Sequence, residues 1–171
     1  MNNISIIQGD ITKAKVDVIV NAANPRMLGG GGVDGAIHRA AGPGLLEACR
    51  KVKAVNGIRC PFGQARLTEA ADLFANYVIH AVGPRYKIDR NPAAILANAY
   101  RECLDLACEH GLTSIAFPAI SCGAYGYPLD EAAYIAISTC SKEKYASLDI
   151  SFYLYDKRAM SAWKTQMEMG S

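Results

Sequence analysis

The strongest constraint on this chain is an alternation of short β-branched runs with helical stretches of roughly 10 residues or more. Residues 4–7, 16–20, 77–82, 114–117 and 150–155 form runs too short for buried helices, and they read as strands, several apolar on both faces. A weaker strand is expected at 65–69. Residues 34–52, 93–109, 129–144 and 158–168 instead carry apolar side chains at three- and four-residue spacing, with a break near Gly42-Pro43-Gly44. Strands and helices in this order pack as a mostly parallel or mixed sheet covered on both sides. The expected fold is therefore α/β, a three-layer α/β/α sandwich with a mixed central sheet. Sheets of this kind place ligands in the crevice beyond the carboxyl ends of their strands.

A chain of 171 residues, 51% of them hydrophobic, can bury one continuous core without metal or disulfide staples. It shows no internal repeat or Pro/Ser-rich linker, so a single domain over residues 1–171 is expected. Its 18 basic and 16 acidic side chains leave a net charge of +2, too balanced for a protein that chiefly coats nucleic acid. The N-terminus has no basic segment followed by a long apolar stretch, and no apolar run reaches the roughly 18 residues of a membrane span. Six cysteines are scattered without metal-ligand spacing. Reduced thiols, a cytoplasmic location and no metal or cofactor are expected.

The main chemical signal is Gly29-Gly30-Gly31-Gly32-Val33-Asp34-Gly35, which follows a strand and opens a helix. Glycines here let backbone N–H groups approach an anion while the helix N-terminus adds partial positive charge, which suits a diphosphate. A flexible linker is the competing reading, but linkers do not usually run straight from a core strand into an amphipathic helix. Gly30-x-Gly32-x-x-Gly35 satisfies the dinucleotide fingerprint literally, yet neither an acid nor a strand lies around Val55, where that motif requires both. A P-loop needs Lys and Ser or Thr after its last glycine, and Ala36 and Ile37 stand there.

A second glycine loop, Ser121-Cys122-Gly123-Ala124-Tyr125-Gly126, follows the strand at 114–117 and could hold the same diphosphate from the other side, or be a plain tight turn. Asp34 is a helix-start acid favourable to the dipole, or a carboxylate kept at the mouth of the site to orient or deprotonate water. Asn24 offers a donor and an acceptor for a sugar hydroxyl, or makes an Asn-Pro turn with Pro25. His38, four residues after Asp34, shares its helix face and could support it. Asp10 is a cap or an acceptor for an adenine amino group. Tyr155 is a rim tyrosine or a ring that stacks on a base.

Several of these segments together resemble the macrodomain family. They are Gly9-Asp10-Ile11-Thr12, Val18-Ile19-Val20-Asn21-Ala22-Ala23-Asn24-Pro25, the run from Gly29 to Gly42, His80-Ala81-Val82-Gly83-Pro84, and the run from Phe117 to Pro128. The likeness is to its hydrolase type, which includes bacterial O-acetyl-ADP-ribose deacetylases and human MacroD proteins. The resemblance implies an α/β/α sandwich that binds ADP-ribose or O-acetyl-ADP-ribose, with ADP-ribosylated proteins as further partners. It implies that Asp10 accepts from adenine, that Ile11 adds a backbone contact, and that Gly30, Gly31, Gly32 and Val33 face Ser121, Cys122, Gly123, Ala124 and Gly126 across the diphosphate. Asn24 and Asp34 would meet the distal ribose, with Tyr125 closing over it; either Asp34 activates water directly, or a water held by the phosphate attacks while Asp34 and Asn24 position the sugar. The implied reaction removes the acetyl group from O-acetyl-ADP-ribose, mono-ADP-ribose from acidic side chains, or both. A non-catalytic ADP-ribose reader and an RNA-processing regulator are the alternatives, and Asn24 together with Asp34 favours the enzyme. Three features depart from the pattern: Cys122 stands where relatives commonly have Thr and adds an oxidisable thiol, Phe62 interrupts Cys60-Pro61-x-Gly63, and the tail after Tyr155 differs.

Overall fold

The computed structural model describes residues 3–170. Six strands, β1 (Ile4–Gln8), β2 (Val18–Ala22), β3 (Ala65–Glu69), β4 (Tyr77–Ala81), β5 (Ser114–Phe117) and β6 (Asp149–Leu154), form one sheet in the order β1-β6-β5-β2-β4-β3. Only β3 runs antiparallel to its neighbour; the other pairings are parallel. The sheet is therefore mixed, as the pattern predicts, and the weak strand at 65–69 is its antiparallel edge.

Side-chain alternation divides the core in two. Val18 and Val20 of β2 face one way, into a cluster built with α3 (Pro92–Glu109), α4 (Leu129–Cys140) and α5 (Lys157–Met169). Ile19 faces the other way and packs with Val78 of β4 against α1 (Gly32–Ala41) and α2 (Pro43–Arg50). Because β2 lies between β5 and β4 and both of its faces are covered, a run of apolar residues is what that position demands.

The break expected inside 34–52 is the α1–α2 junction. Gly42 ends α1 at φ 79°, its N–H bonding the His38 carbonyl, and Pro43 starts α2 at its first turn. The helix expected over 129–144 stops earlier, at Cys140, and Glu143–Tyr145 form a separate 3-10 turn. At α5 the Asp156 carboxylate accepts from the Ala159 N–H at 2.7 Å, an N-cap worth about 1 kcal/mol. The strand expected at 16–20 lies two residues later, at Val18–Ala22, which brings Asn21 inside it. No helix among the described residues is long and apolar enough to cross a membrane.

Candidate active site

The chain leaves β2, β5 and β6 at their carboxyl ends into the walls of one cavity of about 960 Å³. The loop after β2 contributes Asn24 and Gly30 to Asp34, the loop after β5 contributes Ser121 to Gly126, and the loop after β6 contributes Tyr155. The two glycine loops thus face one space, and the second forms one of its walls. Asp10 and Ile11 are not among the lining residues. Ile11 is fully buried, and Asp10 caps a 3-10 turn by accepting from the Thr12 N–H and hydroxyl. Asp10 reaches the cavity rim through Tyr155, whose hydroxyl donates to its Oδ1 at 3.3 Å. Tyr155 is 53% exposed, with its ring available at that end.

Gly31 is the N-cap of α1, so the helix N-terminus opens onto the cavity with its unpaired N–H groups and partial positive charge. A Cβ at Gly31 would meet nothing within 4 Å, and its φ of −95° suits any residue. Neither packing nor backbone conformation demands glycine there. Gly35 differs, because a Cβ would lie 2.7 Å from the Gly30 carbonyl oxygen; the loop lies directly on the helix. Opposite, the Ser121 hydroxyl is spent on the Pro84 carbonyl at 2.7 Å. Tyr86 N–H donates to the Tyr125 carbonyl and ties the loop to the segment after β4.

Asp34 lines this cavity and is itself buried. It is 5% exposed, and its Oδ1 accepts from Asn21 Nδ2 at 2.8 Å. Burial raises its pKa above the usual carboxylate range, partly offset by the Asn21 hydrogen bond and by His38. His38 Nε2 lies 3.4 Å from Asp34 Oδ1, so the two side chains meet as the four-residue spacing predicts, though without hydrogen-bond alignment. The other carboxylate oxygen points toward Gly30: a Cβ there would lie 3.0 Å from Asp34 Oδ2 and 3.4 Å from Asn24 Nδ2. Asn24 makes the Asn-Pro turn and also braces the glycine loop. Its Oδ1 accepts from the Arg26 and Met27 N–H groups in an Asn-Pro turn, while its Nδ2 reaches the glycine loop and bonds the Gly29 carbonyl at 3.1 Å.

Two departures from the expected pattern acquire a physical reading. The Phe62 ring lies 6.3 Å from Tyr125 and carries the Arg85 guanidinium 4.6 Å above it, so it backs the tyrosine. Burial pushes the Cys122 thiol up to about 12, which disfavours its thiolate. Sequence reasoning missed Asn21 and His80, the buried polar pair behind Asp34. Their signal was a lone polar residue inside each of two apolar strands.

Fold and cleft define an α/β/α protein whose ligand crevice is walled by two glycine loops and a helix N-terminus. The Macro domain family matches residues 20–136, and the chain belongs to that family. It is 60% identical over 164 residues to a Macro domain-containing protein of Vibrio parahaemolyticus, covering 96% of each chain. It is 53% identical over 167 residues to a protein of Enterobacter cloacae named O-acetyl-ADP-ribose deacetylase, covering 94% of this chain and 91% of that one. Among solved structures, a variant of the Oceanobacillus iheyensis macrodomain with ADPR superposes with a TM-score of 0.90 at 41% identity, covering 96% of this chain and 91% of the other.

Proposed function

We propose that this macrodomain, taken as one unit over residues 1–171, is a hydrolase that binds ADP-ribose derivatives and removes the acetyl group from O-acetyl-ADP-ribose. Mono-ADP-ribose esterified to protein Asp or Glu is a second substrate of the same chemistry. The observation that carries the reading is the convergence of Asp34 Oδ2 and Asn24 Nδ2 on Gly30, inside the cleft formed by the two glycine loops. The relatives named O-acetyl-ADP-ribose deacetylase support it.

In this reading the loops around Gly31 and Gly123 hold the diphosphate through backbone N–H groups, and Asp10 and Tyr155 receive the adenine. The distal ribose then lies against Asn24, Asp34 and Tyr125. Asp34, buried and more basic than an exposed carboxylate, takes a proton from water as the hydroxide adds to the ester carbonyl. The sugar oxygen leaves and recovers that proton, giving free acid and ADP-ribose. The scattered cysteines suit a reducing compartment, which supports a cytoplasmic location.

The test is steady-state turnover of O-acetyl-ADP-ribose beside a protein mono-ADP-ribosylated on acidic residues. Release of acetate or of ADP-ribose supports the reading. Tight binding with hydrolysis of neither substrate would make the protein a reader instead.

A further inference from the structure

Behind Asp34 a line of polar side chains crosses the otherwise apolar layer between the sheet and helices α1 and α2. Asn21 and His80 are paired residues of the adjacent strands β2 and β4, and both face α1. Asn21 Nδ2 donates to Asp34 Oδ1 at 2.8 Å and lies 3.2 Å from His80 Nδ1. His80 Nε2 lies 2.9 Å from Thr68 Oγ1, and the Thr68 hydroxyl lies 3.0 Å from the Glu69 carbonyl, which can only accept.

These contacts fix the direction of every bond. Thr68 gives its only proton to Glu69, so it must accept from His80. His80 therefore carries its proton on Nε2 and offers the Nδ1 lone pair to Asn21. Asn21 Nδ2 has two protons, one for His80 and one for Asp34. Its Oδ1 has no hydrogen-bond partner among the described residues. A flipped amide would turn that oxygen toward two acceptors, so the amide is held by its nitrogen alone.

We infer that His80 is a positioning residue for Asp34: by accepting one N–H of Asn21 it sets the amide so that the other N–H holds Asp34 Oδ1 and leaves Oδ2 facing the cleft. The inference rests on the role proposed for Asp34. His80 is fully buried, and burial lowers its pKa to about 3, so the imidazole stays neutral as an acceptor requires. Cys49 Sγ, 3.6 Å from Nε2 on α2, is held protonated by burial, with a pKa of about 11. His38 is the other titratable group near both ends of the line, 3.4 Å from Asp34 and with its ring centroid 6.5 Å from that of His80. Tyr125 faces Asp34 across the cleft, and its pKa is raised chiefly by burial.

The experiment replaces the acceptor and follows Asp34. His80→Leu fills the space without a lone pair. His80→Asn keeps an acceptor close to the Nδ1 position. Thr68→Val removes the partner of Nε2 at the far end of the line. In His80→Leu the Asp34 carboxyl, followed by carbon NMR, should titrate at higher pH than in the wild type, because the Asn21 hydrogen bond that lowers it is no longer fixed. The acid limb of kcat should move the same way, and kcat at pH 7 should fall roughly tenfold, the scale of one net hydrogen bond, with KM little changed. His80→Asn should restore most of both, and Thr68→Val should shift both less. Nitrogen NMR of the wild-type protein, which needs no variant to fold, should show His80 protonated on Nε2 and bare on Nδ1. An Nδ1-protonated ring, or Leu and Val variants whose Asp34 titration matches the wild type, would overturn the inference. The carboxyl titration requires no turnover, so it decides this point even if Asp34→Ala proves as active as the wild type, the result that sinks the proposed chemistry instead.

Discussion

Asp34 is held where a carboxylate is costly. Its neighbours supply one amide N–H and an imidazole edge, and burial outweighs both, so its folded pKa lies above that of the unfolded chain. The folded state accordingly binds more protons than the unfolded state between the unfolded value and the raised one. Stability contributed by this residue is present at low pH and is lost as pH rises through that window. Asp34→Asn keeps an oxygen for the Asn21 N–H and removes the buried charge. Its thermal midpoint at pH 7 should equal or exceed that of the wild type, and the advantage should vanish as the pH is lowered toward the unfolded carboxylate value, which scanning calorimetry at several pH values reads directly. Turnover should move the opposite way, falling roughly 10²-fold or more, the range of a positioned acid–base group. Asn24→Ala should also lower turnover. The double variant should lose less than the product of the two, because both groups act on one sugar. A fully active Asp34→Asn enzyme would contradict both the assignment and the stability–function conflict.

At the scale of elements, the glycine run joins two different demands. Gly32 has a φ of +58°, a conformation that other residues adopt at a cost of about 1–2 kcal/mol, whereas Gly31 is extended and faces open space. Gly32→Ala should therefore lose about 1 kcal/mol of stability through strain and keep most of its affinity for ADP-ribose. Gly31→Glu should leave denaturant stability nearly unchanged while weakening ADP-ribose at least tenfold, since it places a carboxylate beside the diphosphate. Equal effects of the two changes on both measurements would show that the loop does not divide in this way. The same elements mark how far the sequence could be read. Strand runs, the helix break at Gly42-Pro43 and the loops that wall the cleft follow local rules of periodicity and turn chemistry, so they were legible. The two-residue offset of β2 was not, because Val16 and Asp17 continue the run locally and only pairing with β4 and β5 decides where the strand lies. That offset hid Asn21. Its link to His80 spans 59 residues of sequence and exists only through strand register. Phe62 looked like an interruption for the same reason, since its partners Tyr125 and Arg85 come from two other loops.

For the whole molecule, one sheet delivers the carboxyl ends of three parallel strands to one cavity, and α1 aims its N-terminus into it. In the proposed function anion recognition rests on backbone groups and a helix dipole, so a net charge of only +2 is no obstacle to binding a diphosphate. A ligand there touches loops from both halves of the sheet, and binding should stabilise the fold as one unit. At 100 times its Kd, ADP-ribose should add about 2.7 kcal/mol, which in a chain of this size raises the thermal midpoint by about 5–10 °C. ADP lacks the distal ribose and hence the contact proposed for it with Asn24. At equal concentration it should raise the midpoint by a smaller amount. In Asn24→Ala the gap between the two ligands should narrow, because the contact that distinguishes them is gone. Asp34→Ala should bind ADP-ribose as well as the wild type or better, since it removes a carboxylate from the neighbourhood of the phosphates. Differential scanning fluorimetry across the four protein–ligand combinations of wild type and Asn24→Ala measures this directly. An ADP shift equal to that of ADP-ribose in the wild type would place the distal ribose outside the cleft and remove Asn24 and Asp34 from the reaction.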